Sequence, residues 1–442
     1  MPLGDLWTTF VQDALLGAGK GLAKARLAPM SAARVIKILF ISNGHGEDAI
    51  GARLAQEFRA LEPEWTLEAL PIVGRGNAYQ QSGVRVIGPR WAMPSGGFTF
   101  TKLEWLLKDW RAGMYAQTHA QHWAARDSRA DVVIVVGDVY ALWVTFSFAC
   151  KDAKPLVYQV QPLVSRYYQD GMTPQTRASR ISRVTVDSFT APERWYMKRV
   201  EKVFARDART ATWLHELGVP QATFKGNVMM DLLIPELELA PTLDGRPVLA
   251  LLPGTRDDYR FSLPIMLETA ELLPELQAFT AFPNDVLNLE LPRGWSWVAP
   301  TALETAISAD VTALHIGGAR VPILRGAFAA LLHHACVALG TAGTGNEQAV
   351  GLGVPVVGFV TKGPQFTDSF ARAQQRLLGA GLQLEPADSV RLAAAVRTCA
   401  SDPSWRTATR AAGLERMGTS GAARRVVQSL LEDLRSPAQK GR

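Results

Sequence analysis

Val35–Ser42 (VIKILFIS) is an apolar, β-branched run that stops at the turn Asn43-Gly44-His45-Gly46. Glu47–Leu61 follows with Ile50, Leu54 and Phe58 at helical spacing. A strand, a glycine turn and an amphipathic helix, in that order, open a doubly wound α/β domain. Further strand-length runs fall at about 67–73, 84–87, 132–136, 155–160, 184–186 and 202–205, mostly with helical segments between them. At Pro247 the pattern restarts. Val248–Leu252 runs into Pro253-Gly254-Thr255-Arg256, and later strands are expected near 277–282, 296–299, 311–315, 336–339 and 354–359. The expected organisation is an amphipathic segment at 1–30, a first α/β domain at 31–232 and a second at 247–415. A last helix and a charged tail occupy 416–442. The stretch 231–247 has proline near both ends and little periodicity, and reads as the linker.

The segment from Val132 to Cys150 is almost wholly apolar, enough for a hydropathy window to mark a membrane span. Gly137-Asp138 interrupts it, so it reads as a buried strand, Val132–Val136, then a loop and the start of a buried helix. At the N-terminus Asp5 and Asp13 break the apolar part, and Lys20, Lys24 and Arg26 come after it. That is the reverse of a secretory signal. The chain is therefore expected in the cytoplasm, peripheral on the inner face of the cell membrane.

Composition narrows the function. Of 442 residues 48% are hydrophobic and 20% charged, which excludes a disordered chain. The formal charge of +6 is mild and scattered. It suits an acidic small molecule or an anionic membrane surface, and no nucleic-acid partner is expected. Cys150, Cys336 and Cys399 are far apart and form no CxxC pair, as in a reducing compartment.

Four places carry candidate chemistry. In LGTAGTGNEQAVGLGVPVVGF a strand ends, a Gly/Thr loop follows and a helix is expected to begin near Asn346. Gly343, Thr344, Gly345 and Asn346 would bring backbone N–H groups to a diphosphate. Glu347 would accept bonds from ribose hydroxyls, or else be an ordinary acid of the first turn. The strand end LALLPGTR places Gly254, Thr255 and Arg256 similarly, with the Arg256 fork suited to phosphate unless it is a plain surface arginine. His45 in the first glycine turn is either a general base or a cap. Asp138, amid apolar sequence, is either a base with a pKa raised by burial or the N-cap of the next helix. No HExxH, cysteine cluster or DxD occurs, so no metal and no cofactor are expected.

Twelve tryptophans add a surface argument. Trp91, Phe98 and Phe100 precede KLEWLLKDWRAGMY, in which Leu103, Leu106, Leu107, Trp110 and Met114 recur at helical spacing beside Lys102, Lys108 and Arg111. With Trp105, this aromatic and basic stripe fits either a membrane-interface helix with a lipid-acceptor groove or a plain core face.

Taken together, PGTR at 253–256, FKGNVMMD at 224–231 and GTAGTGNEQAVGLGVPVVG at 340–358 resemble lipid-A-disaccharide synthase, a bacterial glycosyltransferase of the membrane surface. SNGHGED at 42–48 and KGPQFTDSFARAQQRLLG at 362–379 are similar to the related proteins of cyanobacteria and similar bacteria. The resemblance spans roughly residues 35–380. It implies a glycosyltransferase-B architecture, two Rossmann-like domains facing a cleft, with Asp138 as the essential acid, Arg256 as the essential loop arginine and Glu347 as the ribose-binding acid. It departs at Tyr158-Gln-Val-Gln-Pro162, and at His45, where the parent family has no histidine. The implied reaction is sugar transfer from a UDP-sugar donor to a lipid acceptor. The alternative is an isomerase of the same fold, similar to UDP-N-acetylglucosamine 2-epimerase, which needs no lipid surface.

Overall fold

The computed structural model describes residues 35–90, 114–172, 188–254, 257–282, 289–308 and 310–435. The segment 1–30, the strand expected at 184–186, Trp91, Phe98, Phe100, Trp105 and Trp110 of the aromatic stripe, and Thr255 and Arg256 lie outside the described residues. The chain forms two compact units. Among the described residues the first comprises 35–166, 188–228 and 421–435, and the second 167–172 and 229–420.

The first unit is built on a seven-stranded, all-parallel sheet of order β3-β2-β1-β4-β5-β6-β7. Its strands are β1 (Lys37–Ser42), β2 (Thr66–Pro71), β3 (Arg85–Val86), β4 (Val132–Val136), β5 (Leu156–Gln161), β6 (Lys202–Ala205) and β7 (Ala222–Thr223). Every residue of VVIVV in β4 is buried. Helices cover both faces of a parallel sheet, so its central strands read as unbroken apolar runs. The strand period of two then sorts each run between two cores. Ile38, Phe40, Val132 and Ile134 pack with helix His45–Leu61 on one face. Leu39, Ile41, Val133 and Val135 pack with helices Val139–Val144 and Ala191–Met197 on the other. The apolar run at 132–150 is thus a buried strand and helix. Among the described residues no helix is long and apolar enough to cross a membrane.

The final helix, Ala422–Arg435, belongs to this first sheet. Val426, Val427, Leu430, Leu431 and Leu434 recur at helical spacing and are buried in the core beside β1 and β4. Lys202 of β6 pairs with Asp433 at 2.8 Å, and Arg425 Nε donates to the Lys225 carbonyl at 2.8 Å.

The second unit carries an eight-stranded sheet of order β10-β11-β12-β9-β8-β13-β14-β15. Its strands are β8 (Val248–Leu252), β9 (Gln277–Ala281), β10 (Ser296–Val298), β11 (Val311–Ile316), β12 (Ala319–Leu324), β13 (Ala335–Gly340), β14 (Val356–Phe359) and β15 (Leu382–Glu385). The sheet is parallel from β12 to β15, while β10–β11 and β11–β12 pair antiparallel. The expected strand–helix alternation fails at β12, which follows β11 through Gly317-Gly318. Pro322 within β12 argues against a strand on sequence grounds. The pairing of β12 with β9 is confined to Ile323 and Leu324, directly after that proline.

The stretch read as a linker, 231–247, differs too. Leu233 and Leu239 are buried in the core of the second unit, and the chain changes unit at Val228/Met229. Tyr167 and Tyr168 belong to that same core, although they lie far back in the sequence.

Candidate functional site

In an open α/β sheet, ligands bind outside the carboxyl ends of the strands where the strand order reverses. In the first unit that place is between β1 and β4. β1 ends at Ser42, and helix His45–Leu61 starts with Gly44 as an extended N-cap. β4 ends at Val136, and Gly137 follows it with a φ of +141°. A Cβ there would lie 1.9 Å from Asn43 Oδ1, so only glycine lets Asn43 cross the end of β4. Asn43 Nδ2 donates to Asp138 Oδ1 at 2.6 Å, and the Tyr140 amide donates to the same oxygen at 2.9 Å. Asp138 therefore caps helix Val139–Val144 and also holds a carboxylate at the switch point. Burial raises its pKa, with the bonds from Tyr140 and Asn43 opposing the shift.

Three more acids share this neighbourhood. Glu47, in the first helical turn, is raised by burial and, further, by the charge of Asp138. Asp48, only 3% exposed, accepts a 2.6 Å bond from Ser42 Oγ, which in turn accepts from the Tyr79 hydroxyl at 3.0 Å. Burial lifts Asp48 to about 7. Glu193 is buried at the start of helix Ala191–Met197. Burial first, and then the Asp138 charge, lift it to about 8. Sequence reasoning missed Glu193. In Thr190-Ala-Pro-Glu193 the threonine caps the Glu193 amide at 3.2 Å, so the motif reads simply as a helix start. His45, by contrast, is exposed at the first position of its helix, against Gly74.

These shifts predict a pH dependence of stability. In the unfolded chain Asp48 and Glu193 titrate near 4, whereas the folded state keeps their protons to about 7 and about 8. The folded state then binds more protons, so stability falls as pH rises from about 4 until those values are passed. Glu193→Gln mimics the protonated acid. It is expected to flatten this decline and gain on the order of 5 kcal/mol over the wild type by about pH 9. Urea unfolding at acid, neutral and alkaline pH checks it. Parallel curves for the two proteins would sink the assignment.

In the second unit the order reverses between β8 and β13. Pro253-Gly254 leaves β8, and the Thr341 amide donates to the Leu252 carbonyl at 2.9 Å, which holds the two loops side by side. Helix Gly343–Gly351 begins at the end of the β13 loop, with Ala342 as its N-cap and no side-chain cap bond. Gly343, Thr344 and Gly345 therefore present first-turn N–H groups, the donors that a diphosphate would take. Thr344 is exposed.

Two expectations change here. The helix starts at Gly343 and not near Asn346, so Glu347 sits in the second turn and is no first-turn acid. Asn346, expected to contact the donor, is fully buried. Its Nδ2 donates to Gln374 Oε1 at 2.9 Å, and Gln374 Nε2 donates to the Gly343 carbonyl at 2.7 Å. Asn346 thus fixes the loop's shape from behind, through helix Asp368–Leu378.

Asp258 is the residue that sequence reasoning overlooked in this unit. It is 2% exposed, and its Oδ1 accepts from the amides of Gln365 at 3.0 Å and Phe366 at 2.9 Å. Gly363 lies so close that a Cβ would be 2.4 Å from that oxygen. Asp258 ties the β14 loop to the β8 loop. Its position just ahead of helix Tyr259–Glu271 made it look like an ordinary N-terminal acid.

The fold is that of glycosyltransferase-B enzymes and nucleotide-sugar epimerases, with two Rossmann-like α/β units. No protein-family model matches the sequence, and a search of curated proteins finds no match. Among solved structures, the chain is similar to the calicheamicin glycosyltransferase CalG4, with 15% identity, a TM-score of 0.59 and coverage of 92% of this chain and 100% of that one. It is also similar to the spinosyn rhamnosyltransferase SpnG complexed with thymidine diphosphate (15% identity, TM-score 0.54, 90% and 100% covered). A third is the UDP-GlcNAc 2-epimerase from Neisseria meningitidis bound to UDP-GlcNAc (14% identity, TM-score 0.52, 90% and 100% covered).

Proposed function

We propose that the chain is a metal-independent hexosyltransferase that moves a sugar from a nucleoside-diphosphate sugar, UDP-linked, to a lipid acceptor at the inner face of the cell membrane. The observation that carries the reading is the uncapped helix N-terminus at Gly343, held beside the β8 loop at the switch point of the second sheet. Two of the similar structures hold a nucleoside diphosphate or a UDP-sugar.

In this reading the acceptor hydroxyl attacks the anomeric carbon, and the bond from that carbon to the diphosphate oxygen breaks. The nucleoside diphosphate leaves with the electron pair. Asp138, a half-buried carboxylate of raised pKa steadied by Asn43, takes the acceptor's proton. His45 is the second candidate for that base. First-turn N–H groups at 343–345, with Gly254, Thr255 and the Arg256 guanidinium, stabilise the charge growing on the leaving group. Glu347 serves the ribose. The lipid acceptor rests on the sequence stripe of Trp91, Phe98, Phe100, Trp105 and Trp110 beside basic residues, which suits an anionic bilayer surface.

One observation favours the epimerase reading. Asp138 interacts with two other acids, Glu47 and Glu193. Epimerisation needs a proton removed from one face of a carbon and another returned to the opposite face, work for two acid–base groups. The experiment that separates the readings incubates the protein with a panel of UDP-sugars in deuterated water, with and without lipid extract and without added metal. A new glycolipid by mass spectrometry, formed only with lipid, is the expected result. Deuterium entering the UDP-sugar without any acceptor would replace it with the epimerase.

A further inference from the structure

A crevice of about 150 Å³ lies in the first unit, apart from the switch-point acids. Helix Met114–Ser128 lines it with His119, His122, Trp123 and Arg126, which share one face at spacings of three and four. Phe148 and Lys151 close the other side. The size is well below the about 300–1,000 Å³ of pockets for larger ligands, so it suits a headgroup rather than a nucleotide.

The lining is aromatic with a cationic rim. His122 stacks on Phe148 at 3.8 Å between ring centroids and an interplanar angle of 10°, and meets Trp143 edge-on at 5.1 Å. Trp123 is 46% exposed, its Nε1 donates to His119 Nε2 at 3.1 Å, and the Arg126 guanidinium lies 5.0 Å over its ring. Arg126 also pairs with Asp152. Lys151 and Arg129 add to the positive field at that carboxylate, so three cations stand against the acids Asp127 and Asp152. His122 supplies the second, independent observation. Its side chain lines the crevice, the residue is 6% exposed, and its Nε2 is buried without a hydrogen bond. A buried ring nitrogen without a partner costs stability unless something meets it.

We propose that this crevice is a ligand site separate from the sugar-nucleotide chemistry, one that takes a phosphate-type oxyanion joined to an apolar group. Lys151 and Arg126 meet the charge, His122 Nε2–H donates to an oxygen, and the faces of Trp123 and Phe148 cover the apolar part. An uncharged polar ligand would leave the cationic rim unused, and a bare hydrocarbon would leave His122 unmet.

The test is calorimetric titration of the full chain with inorganic phosphate, with dihexanoyl phosphatidic acid and with dihexanoylglycerol, each with and without saturating UDP. The expected result is binding of phosphatidic acid that UDP leaves unchanged, with no binding of dihexanoylglycerol. Lys151→Ala and His122→Phe are each expected to weaken it about tenfold. Lys151 is exposed, so its variant keeps the fold, and phenylalanine at 122 preserves the ring stack; melting curves check both. Inorganic phosphate binding as tightly as phosphatidic acid would overturn the proposal as stated, since the apolar part would then add nothing. Phosphatidic acid binding about tenfold or more tightly than phosphate would support a lipid headgroup. Failure of both phosphate compounds to bind, wild-type affinity for phosphatidic acid in both variants, or displacement by UDP would each overturn the proposal. None of these outcomes depends on whether the chain transfers sugars.

Discussion

Asp138→Asn is expected to keep the fold and the affinity for UDP while lowering sugar transfer by about 10²–10⁴-fold, the range that a positioned general base supplies. The substitution is clean because of what Asp138 does structurally. Its Oδ1 accepts from the Tyr140 amide and from Asn43 Nδ2. Asparagine keeps an acceptor oxygen there, and it is as good an N-cap as aspartate. What it loses is the capacity to take a proton. The raised pKa of Asp138 also sets a direction, since wild-type turnover should fall as acid protonates this group, at higher pH than for an ordinary aspartate. Steady-state kinetics across pH, with UDP titrations on the same samples, checks both. Full activity in this variant, with loss in His45→Ala, would pass the base to His45.

Arg256→Ala is expected to cost about 2–4 kcal/mol of transition-state stabilisation, a drop of roughly 30- to 1,000-fold in kcat/KM. The charge on a departing diphosphate grows as the sugar bond breaks, so a guanidinium that pairs with it would act more strongly on the transition state than on the bound donor. The loss should therefore fall mainly on kcat, with a smaller change in KM for the donor. Lys at 256 should restore only part of the rate, because an ammonium lacks the planar fork. Unchanged kinetics in the alanine variant would make Arg256 an ordinary surface residue.

The legible part of this protein is its parallel sheet. ILFIS at 38–42, VVIVV and VLALL are buried on both faces, and such strands leave an apolar run that needs no partner to be recognised. The loops after them were legible for the same reason, since glycine and aspartate stand out at the end of such a run. Other features hid because their signal depends on a distant partner. β7 is two residues long, and its pairing with β6 is what makes it a strand. β12 contains Pro322 and is recruited by β11. Leu233 and Leu239 sit among prolines and acids that look like a linker, and only the second unit's core shows why they are apolar. Glu193 and Asp258 stand where helices commonly place acids, so their burial could not be read locally. Asn346 shows the converse error. A polar residue in a glycine loop looks like a ligand contact until Gln374, distant in sequence, is found bonded to it.

The return of helix Ala422–Arg435 to the first sheet has a consequence for the order in which the chain can fold. The second unit has all its residues once Ser420 has been synthesised, but the first still lacks the helix that seals one face of β1 and β4. Burying Val426, Val427, Leu430, Leu431 and Leu434 contributes on the order of 10 kcal/mol, comparable to the whole margin of a typical domain. The part of the protein made first is therefore completed last. A chain released early would carry a finished second unit beside an unsealed first one, with the switch point at Asn43 and Asp138 resting on an open core. A fragment ending near residue 240 would be in the same state, and donor or acceptor binding to the first unit is best measured on a chain that keeps its last helix.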